Sequence, residues 1–370
     1  MDATIRPEER TPDIVLLLVT MILITIGTAM IYSSSSIVAL EKFGDSRYFL
    51  KKQLVFVFLG IMMMVLLTKI PYEHLRKLAY PGLLLAIVLL VLVLMPGLGL
   101  KRGGATRWLN VGGVSFQVTE MVKIAMVLFL AHFFARRAHQ VKDFRRGVLF
   151  PLAVTLLLVS LIMLEPDFGA AVIIFGIFLF MMCVAGARIR HMMILVFMFI
   201  PAGVMLILFK GYRLARLTAF LDPWKDPSNT GFQIIQSYLS FGSGGTFGVG
   251  IGDGMQKLFY LPEPHTDFIL SIIAEESGFI GVTIVILMFT LFAVRGFMIA
   301  LKAPDLFGAL LAAGLTLVVA IQSFINIAGV MGLIPLKGLV LPFLSYGGTA
   351  FMMSMISVGI LLNISSQASR

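Results

Sequence analysis

The chain has 370 residues, of which 59% are hydrophobic and only 13% are charged. A soluble domain carries roughly 25% charged residues, so a soluble fold of this size would lack the polar side chains to cover its surface. The net charge is +10, but the basic residues stand in short stretches between apolar blocks. That placement favours contact with anionic lipid headgroups over nucleic acid, and it leaves open an anionic substrate at one face.

Apolar blocks of about 20 residues recur along the chain, and that length crosses a hydrocarbon core of roughly 30 Å. We predict an all-α polytopic integral membrane protein with about ten transmembrane helices in a single membrane domain over residues 1–370. The first apolar block lacks a clear small-residue cleavage site after it, so we expect it to be retained as a helix. The predicted spans are 13–34, 53–69, 78–96, 118–135, 148–164, 169–187, 190–209, 268–294, 306–329 and 340–363.

Lysine and arginine are more frequent in the loops that lie inside if the N-terminus is cytoplasmic, and the densest cluster spans residues 136–146. Both termini are therefore expected in the cytoplasm. The loop at about 210–266, between the seventh and eighth spans, would then be extracytoplasmic. A loop this long is usually functional or disordered. Its segment 232–238 predicts a short amphipathic helix at the membrane surface.

The end of this loop carries the first candidate for chemistry. Asp267 falls at the start of the eighth span, and we expect His265, Glu263 and Lys257 to converge on the same interfacial point. The alternative is that Thr266 or Asp267 only caps the helix, because an acid is favoured near a helix N-terminus.

Acidic and basic residues also occur inside predicted spans. Glu275 and Glu276 lie roughly 12–14 Å deeper than Asp267 along the eighth span. A buried charge there costs on the order of 2.5–3.5 kcal/mol, which predicts a functional or paired group. Glu120 and Lys123 share one face of the fourth span, where they either neutralise each other or serve function.

Several loop features have two interpretations. Arg107, in a basic loop with Lys101, has the fork geometry to hold a phosphate, whereas nearby Trp108 suits an interfacial anchor. The glycine-rich run over 242–254 is either a flexible loop or a backbone that approaches a ligand closely. Residues 165–167 predict a tight outside turn. Asn326, in the ninth span, is interpreted as a polar contact between helices.

Four motifs stand out along the chain: G-A-T-R-W-L-N at 104–110, E-P-D-F-G at 165–169, G-F-Q-I-I-Q-S at 231–237 and L-P-E-P-H-T-D-F-I at 261–269. They resemble the motifs of the SEDS family (shape, elongation, division and sporulation), and the resemblance covers nearly the whole chain. Within the family, residues 49–54, 222–227 and 256–262 are more similar to the cell-division branch than to the elongation branch.

The resemblance implies a peptidoglycan glycosyltransferase that polymerises lipid II outside the inner membrane of a bacterium, at the division septum, with Asp267 as catalytic residue. It also implies a class B penicillin-binding transpeptidase and other division membrane proteins as partners. One carboxylate suffices as general base, because the undecaprenyl diphosphate leaving group is already a stable anion that needs positive charge nearby. The candidate substrate-binding residues are Lys101, Arg107, Glu120, Lys123, Arg213, Gln236, Lys257, His265 and Glu276.

Other functions remain open at this stage. The intramembrane charges suit a lipid II flippase, an elongation-type polymerase fits the same motifs, and a scaffold would only recruit a transpeptidase. The loop and the candidate acid collect on one face, which favours surface chemistry over transport. A divalent cation, Mg²⁺ or Mn²⁺, would assist the diphosphate, but no ligand cluster specifies one, and the single cysteine, Cys183, excludes an intrachain disulfide.

Overall fold

The computed structural model describes residues 11–102, 105–111, 114–209, 211–257 and 264–367. Within them, nine helices are long and apolar enough to cross a membrane, and the shorter apolar helix α6 brings the number to the ten that the sequence predicts. The helices are α1 (Ile14–Phe43), α2 (Tyr48–Lys69), α3 (Ala79–Leu94), α4 (Val118–Arg136), α5 (Leu149–Leu164), α6 (Phe168–Val184), α7 (Ile189–Leu208), α8 (Gly211–Leu221), α9 (Phe232–Gly244), α10 (Ile269–Lys302), α11 (Leu306–Val330) and α12 (Gly348–Gln367).

Some helix boundaries differ from the prediction by more than a turn. The first helix continues through its serine-rich end to Phe43, and α10 continues to Lys302. The last helix begins at Gly348 instead of residue 340, because the segment before it forms turns. These turns matter for the site described below.

Helices α4, α11 and α12 form the centre of the bundle, and most of their residues are buried. Small residues let them approach closely, as is usual where helices pack in lipid. A Cβ atom on Gly314 of α11 would lie 2.5 Å from Val127 of α4, and one on Gly296 of α10 would lie 2.2 Å from Thr316. Helices α4 and α10 therefore each pack closely against α11.

A small antiparallel sheet lies between α3 and α4, where the sequence analysis expected a loop. Its strands, in the order β1-β2-β3, are β1 (Gly99–Arg102), β2 (Ala105–Val111) and β3 (Val114–Gln117). Leu109 pairs with Phe116 and Trp108 pairs with Gln117. Strands this short carry a weak sequence signal. The sheet places Arg107 on a fixed strand.

The predicted amphipathic helix at 232–238 is α9, which is longer than expected and packs against α10. Its buried face includes Ile234 and Ile235. The Ser237 hydroxyl lies 2.8 Å from that of Ser271 on α10 and donates to the carbonyl of Val330 on α11, 2.6 Å away. The long loop is thus tied to two membrane helices.

Helix α10 is broken at Gly278, whose backbone has φ 65° and ψ −162°. Loop residues enter the break and take up the freed carbonyls. Val249 donates to the carbonyl of Glu275 over 3.0 Å, and Gly250 donates to that of Glu276 over 3.2 Å. Irregular backbone within a membrane protein needs such partners.

The glycine run has a role that neither sequence interpretation anticipated. A Cβ atom on Gly248 would lie 2.2 Å from the carbonyl oxygen of Glu276, and one on Gly278 would lie 2.4 Å from the amide nitrogen of Gly248. A Cβ on Gly254 would lie 2.8 Å from the Glu275 carboxylate. The glycines let the loop backbone meet the α10 backbone.

Candidate active site

Asp267 lies just ahead of α10, whose N-cap residue is Phe268. Its side chain is half-buried and lies against Gly338 in the turn segment between α11 and α12. Its carbonyl oxygen accepts a hydrogen bond of 3.0 Å from the Asn326 side chain on α11. The backbone at Asp267 is therefore held by a central helix, while the carboxylate faces the α11–α12 segment.

The same central helix holds the segment beside Asp267. Asn326 also donates to the carbonyl of Leu339. One turn earlier, Gln322 donates to the carbonyl of Val340 over 3.1 Å. Asn326 is therefore more than a contact between helices, because it joins Asp267 to the α11–α12 segment.

Glu120 and Lys123 form the predicted ion pair, with an N–O distance of 2.8 Å. Both side chains are buried, and Lys123 also donates to the Gln322 side chain. A continuous chain of hydrogen bonds therefore runs from this ion pair through Gln322 to Val340, two residues beyond Gly338. The Glu120–Lys123 pair therefore has hydrogen-bond partners within the protein, and it is connected to the candidate site through Gln322.

Arg107 contacts the turn between α5 and α6. Its Nε lies 3.2 Å from the Asp167 carboxylate, and its guanidinium donates to the carbonyl of Pro166 over 3.2 Å. Asp167 also accepts from the amide of Ala170 at the start of α6. The sequence predicts only a tight turn here, but the turn also anchors a candidate phosphate-binding arginine.

Glu165, in the same turn, is fully buried, and neither of its side-chain oxygens has a hydrogen-bond partner among the residues that the structure describes. Burial raises the pKa of Glu165 to about 8; the neighbouring Asp167 charge adds to the effect and Arg107 opposes it. The carboxyl is therefore largely protonated at neutral pH. An acid within an otherwise apolar stretch was the available sequence signal.

Lys337 is a second residue that the sequence analysis did not select. Its side chain runs past Gly169, beside the Asp167 carboxylate. Burial lowers the pKa of Lys337, and the charge of Asp167 partly offsets this. Because Lys337 immediately precedes Gly338, it places a cation next to the segment that Asp267 contacts.

Arg213, on α8, reaches the same region. Its guanidinium lies 5.3 Å from the centre of the Phe168 ring, and the Lys337 ammonium lies 5.9 Å from that ring. Arg213 also donates to the carbonyl of Leu206 over 2.8 Å. Arg107, Arg213 and Lys337 are thus brought together around the α5–α6 turn.

Lys257 and Glu276 form a separate cluster in the broken part of α10. The Lys257 ammonium lies 2.7 Å from the Glu276 carboxylate, which also accepts from Ser33 over 2.6 and 2.8 Å. Glu275 accepts from the amides of Met255 and Gln256. These contacts bind the loop to α10.

The remaining candidates have varied surroundings. The His265 ring is buried, 4.4 Å from the Phe49 ring and 5.7 Å from the Tyr346 ring, whereas Lys257 contacts Glu276. The predicted convergence of His265 and Lys257 on one point is therefore wrong. Gln236 is half-buried on α9. Lys101 lies in β1, but its side chain, like residue Glu263, lies outside the described residues.

A family model described as "Cell cycle protein", which covers FtsW, RodA and SpoVE, matches residues 13–370. The chain belongs to this family, the SEDS family. Its resemblance to the family, first seen in four motifs, thus extends over nearly the full length. Three of the four motifs supply residues to the candidate site: Asp267, Arg107 and the residues of the α5–α6 turn.

Individual members of the family cover the chain almost completely. Stage V sporulation protein E of Bacillus subtilis (strain 168) is 44% identical over 358 residues, which cover 97% of this chain and 98% of that protein. A protein of Geobacter sulfurreducens (strain ATCC 51573 / DSM 12127 / PCA), named probable peptidoglycan glycosyltransferase FtsW, is 45% identical over 356 residues, covering 96% of this chain and 95% of that protein. This SEDS protein is FtsW-like.

A solved structure shares the fold. It is described as "Structural coordination of polymerization and crosslinking by a peptidoglycan synthase complex", and one of its chains superposes with a TM-score of 0.79 at 29% identity. The match covers 96% of this chain and 98% of that one. The predicted polytopic membrane fold is confirmed.

Proposed function

We propose that this protein is a peptidoglycan glycosyltransferase that polymerises lipid II on the outer face of the cytoplasmic membrane. The observation that carries the proposal is the setting of Asp267, whose half-buried carboxylate lies between α10 and the α11–α12 segment. The carboxylate contacts Gly338, and Lys337 immediately precedes Gly338 in the chain. The name of the Geobacter relative supports the same reaction class.

In the proposed reaction, Asp267 accepts the proton of the acceptor sugar hydroxyl as its oxygen attacks the anomeric carbon of the donor. The bond from that carbon to the diphosphate oxygen breaks, and undecaprenyl diphosphate leaves with the bonding electrons. General-base catalysis of this kind contributes about 10²- to 10⁴-fold to a rate. No acid is required at the leaving group, because the diphosphate is already stable as an anion.

The cations around the α5–α6 turn suit the diphosphate. Lys337 and Arg213 both lie near the Phe168 ring. The Nε atom of Arg107 lies beside the Asp167 carboxylate. Fixed positive charge stabilises negative charge that develops on a leaving group. Lys337 thereby joins Arg107 and Arg213 as a proposed substrate-binding residue.

A divalent cation, Mg²⁺ or Mn²⁺, remains part of the proposal as an aid to the diphosphate. The described residues include no group of three or more His, Cys, Asp or Glu side chains that could hold a metal ion. Mg²⁺ is often bound through one or two carboxylates and substrate phosphates. Chelation of divalent ions in the polymerisation assay tests whether such an ion takes part.

We further propose a class B penicillin-binding transpeptidase as partner, together with other division proteins, and enrichment at the septum with both termini in the cytoplasm. The solved relative belongs to a complex described as coordinating polymerization and crosslinking, which supports a cross-linking partner. Relatives named stage V sporulation protein E and FtsW match this chain at similar identity, so the proposed septal location rests on the motifs at 49–54, 222–227 and 256–262.

A polymerisation assay with purified protein and lipid II tests the proposal. Asp267→Asn is expected to reduce polymer formation by roughly 10²- to 10⁴-fold, because it removes the base with little change in shape. Asp253→Asn, an exposed carboxylate of the same loop, is the matched control and should polymerise normally. A folded Asp267→Asn variant that polymerises like the wild type would rule out Asp267 as the base.

The second candidate is a lipid II flippase, which the intramembrane charges favour. In the structure, those charges are largely neutralised by protein partners: Lys123 pairs with Glu120, and Lys257 pairs with Glu276. Vesicle reconstitution separates the two functions. Inversion of lipid II without polymer formation would support the flippase.

A further inference from the structure

A cavity of about 380 Å³ lies at the opposite end of the bundle from Asp267. Its walls come from the end of α4, the start of α11 and the segment that precedes α3. Asp305, at the start of α11, is 21 residues before Asn326, which is roughly 30 Å along a helix and close to the thickness of the hydrocarbon core. The lining includes Arg76, His132, Arg136, Asp305, Leu306 and Phe307.

The single acid in this wall is already neutralised. Asp305 forms an ion pair with Arg76, accepts from the Tyr72 hydroxyl over 2.9 Å and accepts from the amide of Gly308 over 2.8 Å. The Arg76 guanidinium is further oriented by the Phe307 ring, 4.8 Å away. Asp305 therefore fixes Arg76 in place and has little capacity left to attract a second cation.

Arg136 is the unbalanced charge of the cavity. Its guanidinium lines the cavity together with His132. It has no hydrogen-bond or ion-pair partner among the described residues. The His132 ring packs against Tyr80 and Phe307 at 5.4 and 6.4 Å. The result is a concave site with an unpaired arginine, an oriented arginine and an aromatic wall.

We propose that this cavity binds a phosphate group, held by Arg136 and Arg76, with the carbon skeleton of the ligand against Leu306 and Phe307. Arginine is suited to phosphate because its planar fork donates two parallel hydrogen bonds. The phosphate belongs either to an anionic phospholipid headgroup or to a soluble phosphate compound. The positive-inside rule assigns this end of the bundle to the cytoplasm, where basic pockets between helices bind such headgroups.

The mouth of the cavity favours the lipid source. Leu306 is 41% exposed, and Leu78 and Tyr80, which lie near the segment that carries Arg76, are 52% and 45% exposed. Apolar side chains exposed at this level are suited to contact acyl chains. A lipid could therefore enter sideways with its tails still in the bilayer.

Native mass spectrometry of the full-length protein in detergent tests the proposal. The probes are phosphatidylglycerol, phosphatidylcholine and inorganic phosphate, each titrated separately. We expect phosphatidylglycerol to bind more tightly than phosphatidylcholine. Arg136→Gln should weaken phosphatidylglycerol binding at least about fivefold, which corresponds to ~1 kcal/mol.

Arg145→Gln is the matched control, because it removes the same charge from an exposed position outside the cavity on the same face. It should bind phosphatidylglycerol like the wild type. Arg136→Lys keeps the charge but loses the planar guanidinium, so it should give intermediate binding. It takes the place of Arg136→Gln if Arg136→Gln melts at a lower temperature than the wild type without lipid.

The outcomes separate the sources. Tight binding of inorganic phosphate that depends on Arg136, without a preference between the two lipids, would support the site with a soluble phosphate as its ligand. Equal effects of the Arg136 and Arg145 variants on every probe would overturn the proposal, because binding would then follow surface charge alone.

Discussion

The Asp267 carboxylate lies against Gly338: a Cβ atom on Gly338 would be 3.1 Å from Asp267 Oδ2, and the glycine has a φ of +61°. The left-handed conformation and the close approach both require glycine at this position. The Asp267 carboxylate is therefore packed directly against the backbone of Gly338, the residue that follows Lys337.

Gly338→Ala is expected to lower polymerisation by at least about tenfold, because the added methyl group displaces the Asp267 carboxylate and small misplacements of a catalytic group are costly. Gly186→Ala is the control, since Gly186 has a φ of +83° but open space around it. Each variant should lose about 1–2 kcal/mol of stability from backbone strain. Equal polymerisation rates for the two variants would contradict the proposed contact. Lipid II turnover and thermal unfolding are the measurements.

Asn326→Leu should reduce both stability and activity, because two carbonyl groups, those of Asp267 and Leu339, lose their donor. An unsatisfied buried polar group costs about 1–3 kcal/mol. Ser323→Ala is the comparison on the same helix, since its hydroxyl donates only to the carbonyl of Val319 within α11. Unfolding in detergent and the polymerisation rate should separate the variants, and an Asn326→Leu protein that matches Ser323→Ala in both would argue against a positioning role.

Glu165 should give the protein a pH dependence of stability. Its folded pKa is about 8, against an ordinary value of 4.5, so the unfolded chain loses the proton first as pH rises. The stability contributed by the bound proton is therefore fully present below about pH 4.5 and is lost as pH rises towards 8. Glu165→Gln, which is neutral at every pH, should remove this part of the decline.

The measurement is the melting temperature at pH 6 and pH 9 for both proteins. Glu165→Gln should show the smaller decrease between the two values and the higher melting temperature at pH 9. An identical decrease in the two proteins would show that Glu165 keeps its ordinary pKa. Glu73→Gln, at an exposed glutamate, is a control for charge removal.

Lys257→Met should destabilise the protein by about 3–5 kcal/mol, because it leaves the buried carboxylate of Glu276 without its cation. The double variant Lys257→Met/Glu276→Gln should recover most of this loss, since no unpaired charge remains. Thermal unfolding of Lys257→Met, Glu276→Gln and the double variant gives the coupling energy between the two side chains. A stable Lys257→Met protein with a raised KM for lipid II would instead indicate that Lys257 binds substrate.

The sequence predicted the membrane helices well, because long apolar runs have few alternatives in lipid. It also predicted the Glu120–Lys123 pair and singled out Asp267 as a candidate, since charges beside or within such runs are conspicuous. The break at Gly278 could not be predicted, because it depends on a loop that supplies hydrogen bonds from more than 25 residues earlier in the chain. The small sheet between α3 and α4 escaped notice because its strands are short.

The candidate site was predicted only in part for a related reason. Lys337 becomes notable only when the fold brings it beside Asp167, and Glu165 becomes notable only when the fold buries its carboxyl. Conversely, Lys257 was expected beside Asp267, yet the structure pairs it with Glu276, which was predicted to be a functional or paired group. Burial and pairing are properties of the folded chain, so a residue's role in binding depends on neighbours that sequence spacing does not reveal.

The break in α10 also bears on how the chain is made. The segment from Gly244 to Lys257 is synthesised before Glu275 and Glu276, and it supplies partners to both carboxylates. The segment therefore leaves the ribosome before the two acids do. The insertion cost of the acids, on the order of 2.5–3.5 kcal/mol each, can then be reduced as α10 enters the bilayer. The order of residues along the chain is thus also an order of assembly.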